Sequence, residues 1–242
     1  MRSAPFGTQY KRCCVLLLAG RALLPAAPAY AGFIVDDFEI DAVGTCNVES
    51  WISFASNKDF MAVTSPACVV RFGVPVEIGS KIQRTRAGGE WASNAGFSAK
   101  VTLLPLTNGI GIGLSGEADW DLLSGASTGG NINVPVTFDL GHNLRMNFNG
   151  GWLYDTPTKV SYAIWGTSVE WSMTPKVALI AEIFGQASPR ADPPSITEPR
   201  FQTGIRVTPI SNLDVSLIYG RNLNGEQANW LTLGFNIGFQ AR

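Results

Sequence analysis

The chain has 242 residues, of which 45% are hydrophobic, 15% are charged and 26 are glycine, and its formal net charge is −1. This length suits a single domain. Because the sequence has no run or stripe of basic residues, its composition argues against nucleic acid as a partner.

The N-terminus has the order of regions that marks a secretory signal peptide. Lys11 and Arg12 close a basic stretch without acids, an apolar run follows from Cys13 to Leu18, and Ala29-Tyr30-Ala31 supplies a small-x-small cleavage pattern. Arg21 interrupts the apolar part, and the alternative interpretation is a short buried helix. We predict a signal peptide over residues 1–31, whose removal leaves a mildly acidic mature chain.

The next segment, residues 32–44, is acidic and shows no clear alternation of polar and apolar residues. Asp36, Asp37, Glu39 and Asp41 crowd into it. A run of charges is usually solvated, so we predict a periplasmic N-terminal arm; cation binding is the alternative.

From residue 45 onward, polar and apolar residues alternate with a period of two. In the last segment Leu231, Leu233 and Phe235 share one face, while Thr232 and Gly234 share the other. Beyond residue 31 no apolar stretch is long enough to cross a bilayer as a helix. The twelve predicted strands are 45–56, 60–72, 74–86, 90–104, 109–122, 131–140, 144–155, 159–173, 176–187, 199–208, 213–222 and 229–239.

The connections between these strands differ in length. Those after even-numbered strands are tight, whereas those after odd-numbered strands include the long ones, Leu123 to Gly130, Ser188 to Glu198 and Leu223 to Ala228. Short turns at the periplasmic rim and longer loops at the other rim are typical of outer-membrane barrels. We therefore predict an all-β fold, a transmembrane antiparallel up-and-down β-barrel of about twelve strands over residues 45–239, followed by a tail at residues 240–242. A soluble β-sandwich is the alternative that alternation alone leaves open.

Aromatic residues near the strand ends favour the membrane barrel, because amphipathic rings sit well at the headgroup level. The residues concerned are Trp51, Trp91, Trp120, Trp152, Tyr154, Trp165, Trp171, Tyr219 and Trp230.

Two cysteines remain after the signal peptide, Cys46 and Cys68. They are equidistant from Asn57, so a hairpin turning there places them opposite each other. In an oxidising compartment we predict a disulfide near the periplasmic rim, with two free buried thiols as the alternative. No CxxC pattern or Cys/His cluster is present in the sequence, so we predict no metal site, and no cofactor is predicted.

Several charged residues are predicted to face the lumen. Arg206 is expected opposite Asp214 about a turn at Ile210 and opposite Glu182 about a loop near Pro194. The full predicted charge cluster is Glu170, Glu182, Arg206, Asp214, Asp139 and Arg145, with Arg145 facing Asp139 about His142. Further lumen candidates are Lys81, Lys100, Glu117 and Asp119. These charges either pair to hold the register and fill the lumen or form a constriction that selects solutes by charge.

The sequence offers little for enzymatic chemistry. The only histidine, His142, falls in a predicted tight turn, where a rigid catalytic triad is not expected. Glu170 and Glu182 could act as acid and base, but Arg206 nearby would keep them ionised and structural. We predict no catalytic residue.

Several short motifs resemble a known family of barrels, that of the MetA pathway of phenol degradation. They are Asp36-Asp37, Gly44, Val48-Glu49-Ser50-Trp51, Ala181 to Gln186, Gln202 to Pro209 and Asp214 to Gly220. The resemblance implies an outer-membrane transporter of small, often aromatic or hydrophobic, compounds and supplies no catalytic residues. Outer-membrane barrels of this kind commonly end on an aromatic residue that the barrel-assembly machinery reads, whereas here Gln240-Ala241-Arg242 follow Phe239.

Three functions are consistent with the sequence. The first is a porin-like passage for small solutes, with outer-membrane lipid, the solute and the barrel-assembly machinery as partners. The second is a structural or surface-interaction barrel filled by its own side chains, and the third is an outer-membrane hydrolase. Large inward residues favour a filled lumen; they are Phe184, Ile218 and Leu153. Inward glycines favour an open lumen; they are Gly111, Gly113, Gly234 and Gly238. The oligomeric state is left open.

Overall fold

The computed structural model describes residues 32–187, 196–225 and 227–240; the predicted signal peptide lies outside this range. Within it, twelve antiparallel strands form one closed barrel in which sequence neighbours pair and β1 also pairs with β12. The strands are β1 (Thr45–Ala55), β2 (Phe60–Phe72), β3 (Val74–Ala87), β4 (Glu90–Thr107), β5 (Ile110–Asp121), β6 (Ser127–Asp139), β7 (Leu144–Asp155), β8 (Val160–Thr174), β9 (Val177–Ala187), β10 (Ile196–Ile210), β11 (Leu213–Asn222) and β12 (Asn229–Gln240). The predicted fold is confirmed.

The barrel is apolar outside and polar inside. On the outer face Ile82 and Ile132 are 59% and 60% exposed, and similar side chains surround the barrel. On the inner face Asn133, Thr137 and Ser216 are at most 1% exposed. A soluble sandwich would bury its apolar face, so this distribution requires lipid around the barrel. Among the described residues, no helix has the length and apolar character needed to cross a bilayer.

The two rims of the barrel differ as predicted. Connections after even-numbered strands contain one to four residues, and those after odd-numbered strands contain two to eight. Asn108 and Gly109 both have positive φ, 53° and 81°, as a tight two-residue hairpin requires. His142, with φ of 54°, is also a turn residue at this short-turn rim. β1 begins at this rim, and short turns are the ones that face the periplasm in outer-membrane barrels.

Strand ends were predicted less accurately than strand positions. β6 begins at Ser127 rather than at residue 131, although Ser127 to Gly130 carry no alternating apolar side chains. Their backbones nevertheless pair with β5 and β7. Gln240, assigned to a tail by the sequence, pairs with Thr45 at the end of β12.

Two of the predicted interfacial aromatic residues face the lumen instead. Trp51 is only 6% exposed, and the Nε1–H group of Trp230 points at Gln202 Oε1 at 3.4 Å. A Cβ atom on inward Gly220 would lie 2.2 Å from the Trp230 ring, so the missing side chain makes room for it. Exposed rings on the outer face near the rims include Trp91, Trp120, Tyr154, Trp171 and Tyr219.

A disulfide joins β1 to β2 near the short-turn rim. Cys46 and Cys68 are directly opposite in the strand register and are bonded to each other. The hairpin symmetry about Asn57 therefore predicted both the register and the pairing. Because the bond spans 22 residues, it restricts the unfolded chain as well as the folded hairpin.

Replacing both cysteines by serine is expected to destabilise the barrel by about 3 kcal/mol. A disulfide that closes a loop of this size stabilises the fold by about that much, because it lowers the conformational entropy of the unfolded chain. Urea denaturation followed by the change in gel mobility between folded and unfolded barrel measures the loss. The control is Ser50→Ala, which removes one outer-face hydrogen bond to Thr64 in the same hairpin and should cost about 1 kcal/mol. Equal effects of the two variants would contradict a stabilising disulfide.

Candidate functional site in the lumen

The segment predicted as a solvated periplasmic arm lies inside the barrel. Phe33, Val35, Asp36 and Phe38 are 2–4% exposed and contact side chains of the inner wall. We call residues 32–43 the plug. The prediction assigned its charges to solvent, but the lumen wall supplies partners for them.

The deep end of the plug is held by a carboxylate of β9. Glu182, 2% exposed, accepts hydrogen bonds from the backbone N–H groups of Ile34, at 2.9 Å, and Val35, at 3.2 Å. Gln202 donates to Glu182 at 2.7 Å and to the carbonyl oxygen of Gly32 at 3.2 Å. Two wall side chains thus bind the backbone of three plug residues, Gly32 on one side of Phe33 and Ile34 and Val35 on the other.

The middle of the plug is held by amide, hydroxyl and ammonium groups. Asn149 accepts from the Asp36 N–H group at 2.8 Å and donates to the Asp36 carbonyl at 2.7 Å, as a neighbouring strand would. Lys100 Nζ lies 2.8 Å from the Asp36 carboxylate. Thr137 accepts from the Phe38 N–H group at 3.3 Å, and Thr102 donates to the Phe38 carbonyl at 3.0 Å.

Inward glycines provide space for the plug's apolar side chains. A Cβ atom on Gly111 would lie 2.6 Å from the Phe38 ring, and one on Gly113 would lie 3.1 Å from the Phe38 backbone. A Cβ atom on Gly166 would lie 2.8 Å from Val35. The sequence suggested that Gly111 and Gly113 mark an open lumen. In the structure, Phe38 occupies the space beside both glycines.

The predicted charge cluster is only partly assembled. Arg206 forms an ion pair with Glu170, but it lies opposite Ala178 and Ser216 rather than Glu182 and Asp214. A register shift between Val207 and Ile210 breaks the hairpin symmetry on which the Asp214 pairing depended. Asp214 accepts a hydrogen bond from Thr208 instead.

The predicted pair at the β6–β7 turn has the expected register but different ionic contacts. Arg145 is directly opposite Asp139. Its guanidinium, however, lies 3.3 Å from the carboxylate of Glu39 in the plug. Asp139 accepts a hydrogen bond from the Gly141 N–H group at 2.9 Å and so stabilises the turn.

A second set of buried charges lies toward the loop rim. Lys81 forms an ion pair with Glu117 and lies 3.1 Å from Asp119, and all three side chains are at most 7% exposed. Nearby on the inner face, the Gln83 side-chain oxygen and both polar atoms of the Asn131 side chain have no hydrogen-bond partner among the described residues. Buried polar atoms of this kind require water or solute.

A cavity of about 1050 Å³ lies between the plug and the short-turn rim. We call it the vestibule. Plug residues 36–43 line one side, and wall side chains from Glu49, Arg71, Glu77, Arg145 and Arg206 line the rest. Within the described part of the chain, no three His, Cys, Asp or Glu side chains are arranged to hold a metal ion.

A closed, apolar-outside barrel with a polar lumen is the architecture of outer-membrane channels. Three solved structures share it at TM-scores of 0.59–0.60: the KdgM porin (7% identity, 80% of this chain and 99% of that chain), the NanC porin (6%, 78% and 98%) and the COG4313 outer membrane channel from Pseudomonas putida F1 (10%, 84% and 98%). Another structure shows the KdgM porin in complex with disordered oligogalacturonate. At these identities the likeness establishes the fold.

The chain belongs to the family described as uncharacterised conserved protein UCP029691, whose family model matches residues 15–239. No curated protein matches the chain. The resemblance to the MetA-pathway family is not confirmed by these comparisons.

Proposed function

We propose that this outer-membrane barrel passes small hydrophilic solutes and that its plug narrows the path. The observation that carries the proposal is the polar inner wall, which opens into a vestibule of about 1050 Å³ at the periplasmic end. A barrel whose only role was structural would be more stable with an apolar, close-packed interior. On the loop side of the lumen, the unpartnered groups of Gln83 and Asn131 support a hydrated route beyond the plug.

The second candidate is a barrel closed by its own side chains. Phe33 of the plug forms a buried apolar cluster with Ile180 and Ile218, which favours a sealed lumen. Apart from the packing of Val35 and Phe38 over inward glycines, the remaining plug contacts are hydrogen bonds and ion pairs to single wall side chains, which hydrating water can replace when the plug moves. This difference favours a displaceable plug over a permanent core.

The resemblance to the MetA-pathway family extends the proposal to solutes with an aromatic or hydrophobic part. Phe38, Ile40 and Leu106 line the vestibule and offer apolar contact beside its charges. A hydrolase is not proposed, because His142 lies in a rim turn and Glu170 is paired with Arg206.

Conductance in planar bilayers tests the proposal. The purified barrel should give discrete current steps, and Asn131→Trp, which adds bulk to the lumen, should reduce them severalfold. The matched control is Ile132→Trp, since the adjacent side chain is 60% exposed on the lipid face and should leave the conductance unchanged. Absence of any steps, both in the wild type and in a barrel lacking the plug, would overturn solute passage and favour the sealed barrel.

A further inference from the structure

We propose that the plug makes the vestibule selective for cations, so that the solutes passed are positively charged or neutral rather than anionic. This inference rests on the proposed passage of solutes and adds the charge class of the solute. It places the selecting groups on the N-terminal segment rather than on the barrel wall.

The charges of the barrel wall around the vestibule are balanced. The wall contributes four carboxylates and four basic side chains: Glu49, Glu77, Glu170 and Asp214 against Arg71, Lys100, Arg145 and Arg206. Their formal sum is zero. Without the plug, the wall would favour neither sign of charge strongly.

The plug changes this balance, because it brings carboxylates and no basic residue. Asp36, Asp37, Glu39 and Asp41 all line the vestibule, and residues 32–43 contain neither lysine nor arginine. The formal charge around the vestibule therefore falls from zero to −4. Rings of carboxylates in a narrow, low-dielectric passage attract cations and repel anions.

The plug also engages the wall's basic groups. Lys100 lies 2.8 Å from Asp36, and Arg145 lies 3.3 Å from Glu39. Since Arg206 is paired with Glu170, three of the four basic wall side chains already face a carboxylate. An anionic solute would have to displace one of these carboxylates to reach any basic wall side chain other than Arg71.

A buried hydroxyl group in the same cavity offers a solute contact independent of charge. Ser115 is 3% exposed and lines the vestibule, and its Oγ atom has no hydrogen-bond partner among the described residues. A hydroxyl oxygen can accept from an ammonium or guanidinium group.

Oligogalacturonate, found in complex with the KdgM porin, is a polyanion and has the charge that this vestibule would disfavour.

The reversal potential of the wild-type barrel in a potassium chloride gradient tests the inference. We expect a potential of the sign that potassium permeation gives. The double variant Asp37→Asn, Asp41→Asn should move it toward zero, while the amide at residue 37 keeps the oxygen that accepts from the Glu39 N–H group. The matched control, Asp59→Asn with Glu90→Gln, changes two carboxylates at the opposite rim and should leave the potential unchanged.

The outcomes separate this inference from the proposed function. Current steps with a chloride-type or zero reversal potential in the wild type would overturn cation selectivity and leave solute passage standing. Equal shifts in the plug variant and the control would also overturn it. Absence of any current in both the wild type and the plug-deleted barrel would overturn solute passage itself. Because the wild-type measurement needs no variant, the inference stays testable even if the double variant does not fold.

Discussion

Deletion of residues 32–43 is expected to raise the single-channel conductance severalfold. The plug fills the lumen from Gly32, beside Ile218, to Phe38, which lies over Gly111 and Gly113. Its removal leaves all twelve strands and their pairing intact, because the plug bonds to wall side chains, apart from the hydrogen bond that the Ala42 carbonyl accepts from the Thr45 N–H group at the start of β1. Joining Ala31 to Gly44 preserves an Ala-Gly junction at the predicted cleavage site.

In a second barrel, a glycine-serine segment of the same length replaces the plug. It distinguishes the effect of having a segment of this length from the effect of the plug's specific contacts with the wall. This segment keeps the backbone groups that bind Glu182 and Asn149. It lacks the carboxylates that pair with Lys100 and Arg145 and the buried side chains of Phe33, Val35 and Phe38, so it should leave the lumen and give nearly the conductance of the deletion. Both barrels should also lose much of their cation preference, because the vestibule charge returns to zero. An unchanged conductance in both, with normal folding on gels, would contradict the plug as an obstruction.

The strands could be predicted because each carries its own signal. Alternation places Leu231, Leu233 and Phe235 on one face whatever the partner strand is, and a closed sheet then follows from the even count and the short turns. Pairing was predicted correctly where a hairpin is symmetric, as for Cys46 with Cys68 and for Asp139 with Arg145. It failed at Arg206, because a register shift in β10 cannot be seen in the alternation.

The plug could not be recognised from its own residues. Its partners Glu182, Asn149, Thr137 and Lys100 come from four separate strands, and each contributes a single side chain. No local pattern encodes such contacts. The sequence signal for the plug lay in the wall, as inward glycines. In the structure, buried apolar side chains of the otherwise acidic plug occupy the space beside these glycines.

Glu182→Ala is expected to release the deep end of the plug. The change removes the acceptor of the Ile34 and Val35 N–H groups and of Gln202. Hydrogen bonds to a charged group contribute about 2 kcal/mol each, so docking should weaken at least roughly thirty-fold. Hydrogen exchange measured by mass spectrometry on a peptide covering the plug should accelerate accordingly, and single-channel records should show more frequent open events.

Two further variants make this result specific to the plug contact. Glu182→Gln keeps one acceptor oxygen and should give an exchange rate between those of the wild type and Glu182→Ala. If only the loss of negative charge in the lumen mattered, the two variants would exchange at the same rate. Asp214→Ala removes a lumen carboxylate whose hydrogen bond is to Thr208 rather than to the plug, and it should leave the exchange of the plug unchanged. If Glu182→Ala and Asp214→Ala behave alike, Glu182 is not the anchor. If only Glu182→Ala opens the channel, one carboxylate on β9 controls both the position of the plug and, through the charges the plug carries, the selectivity of the vestibule.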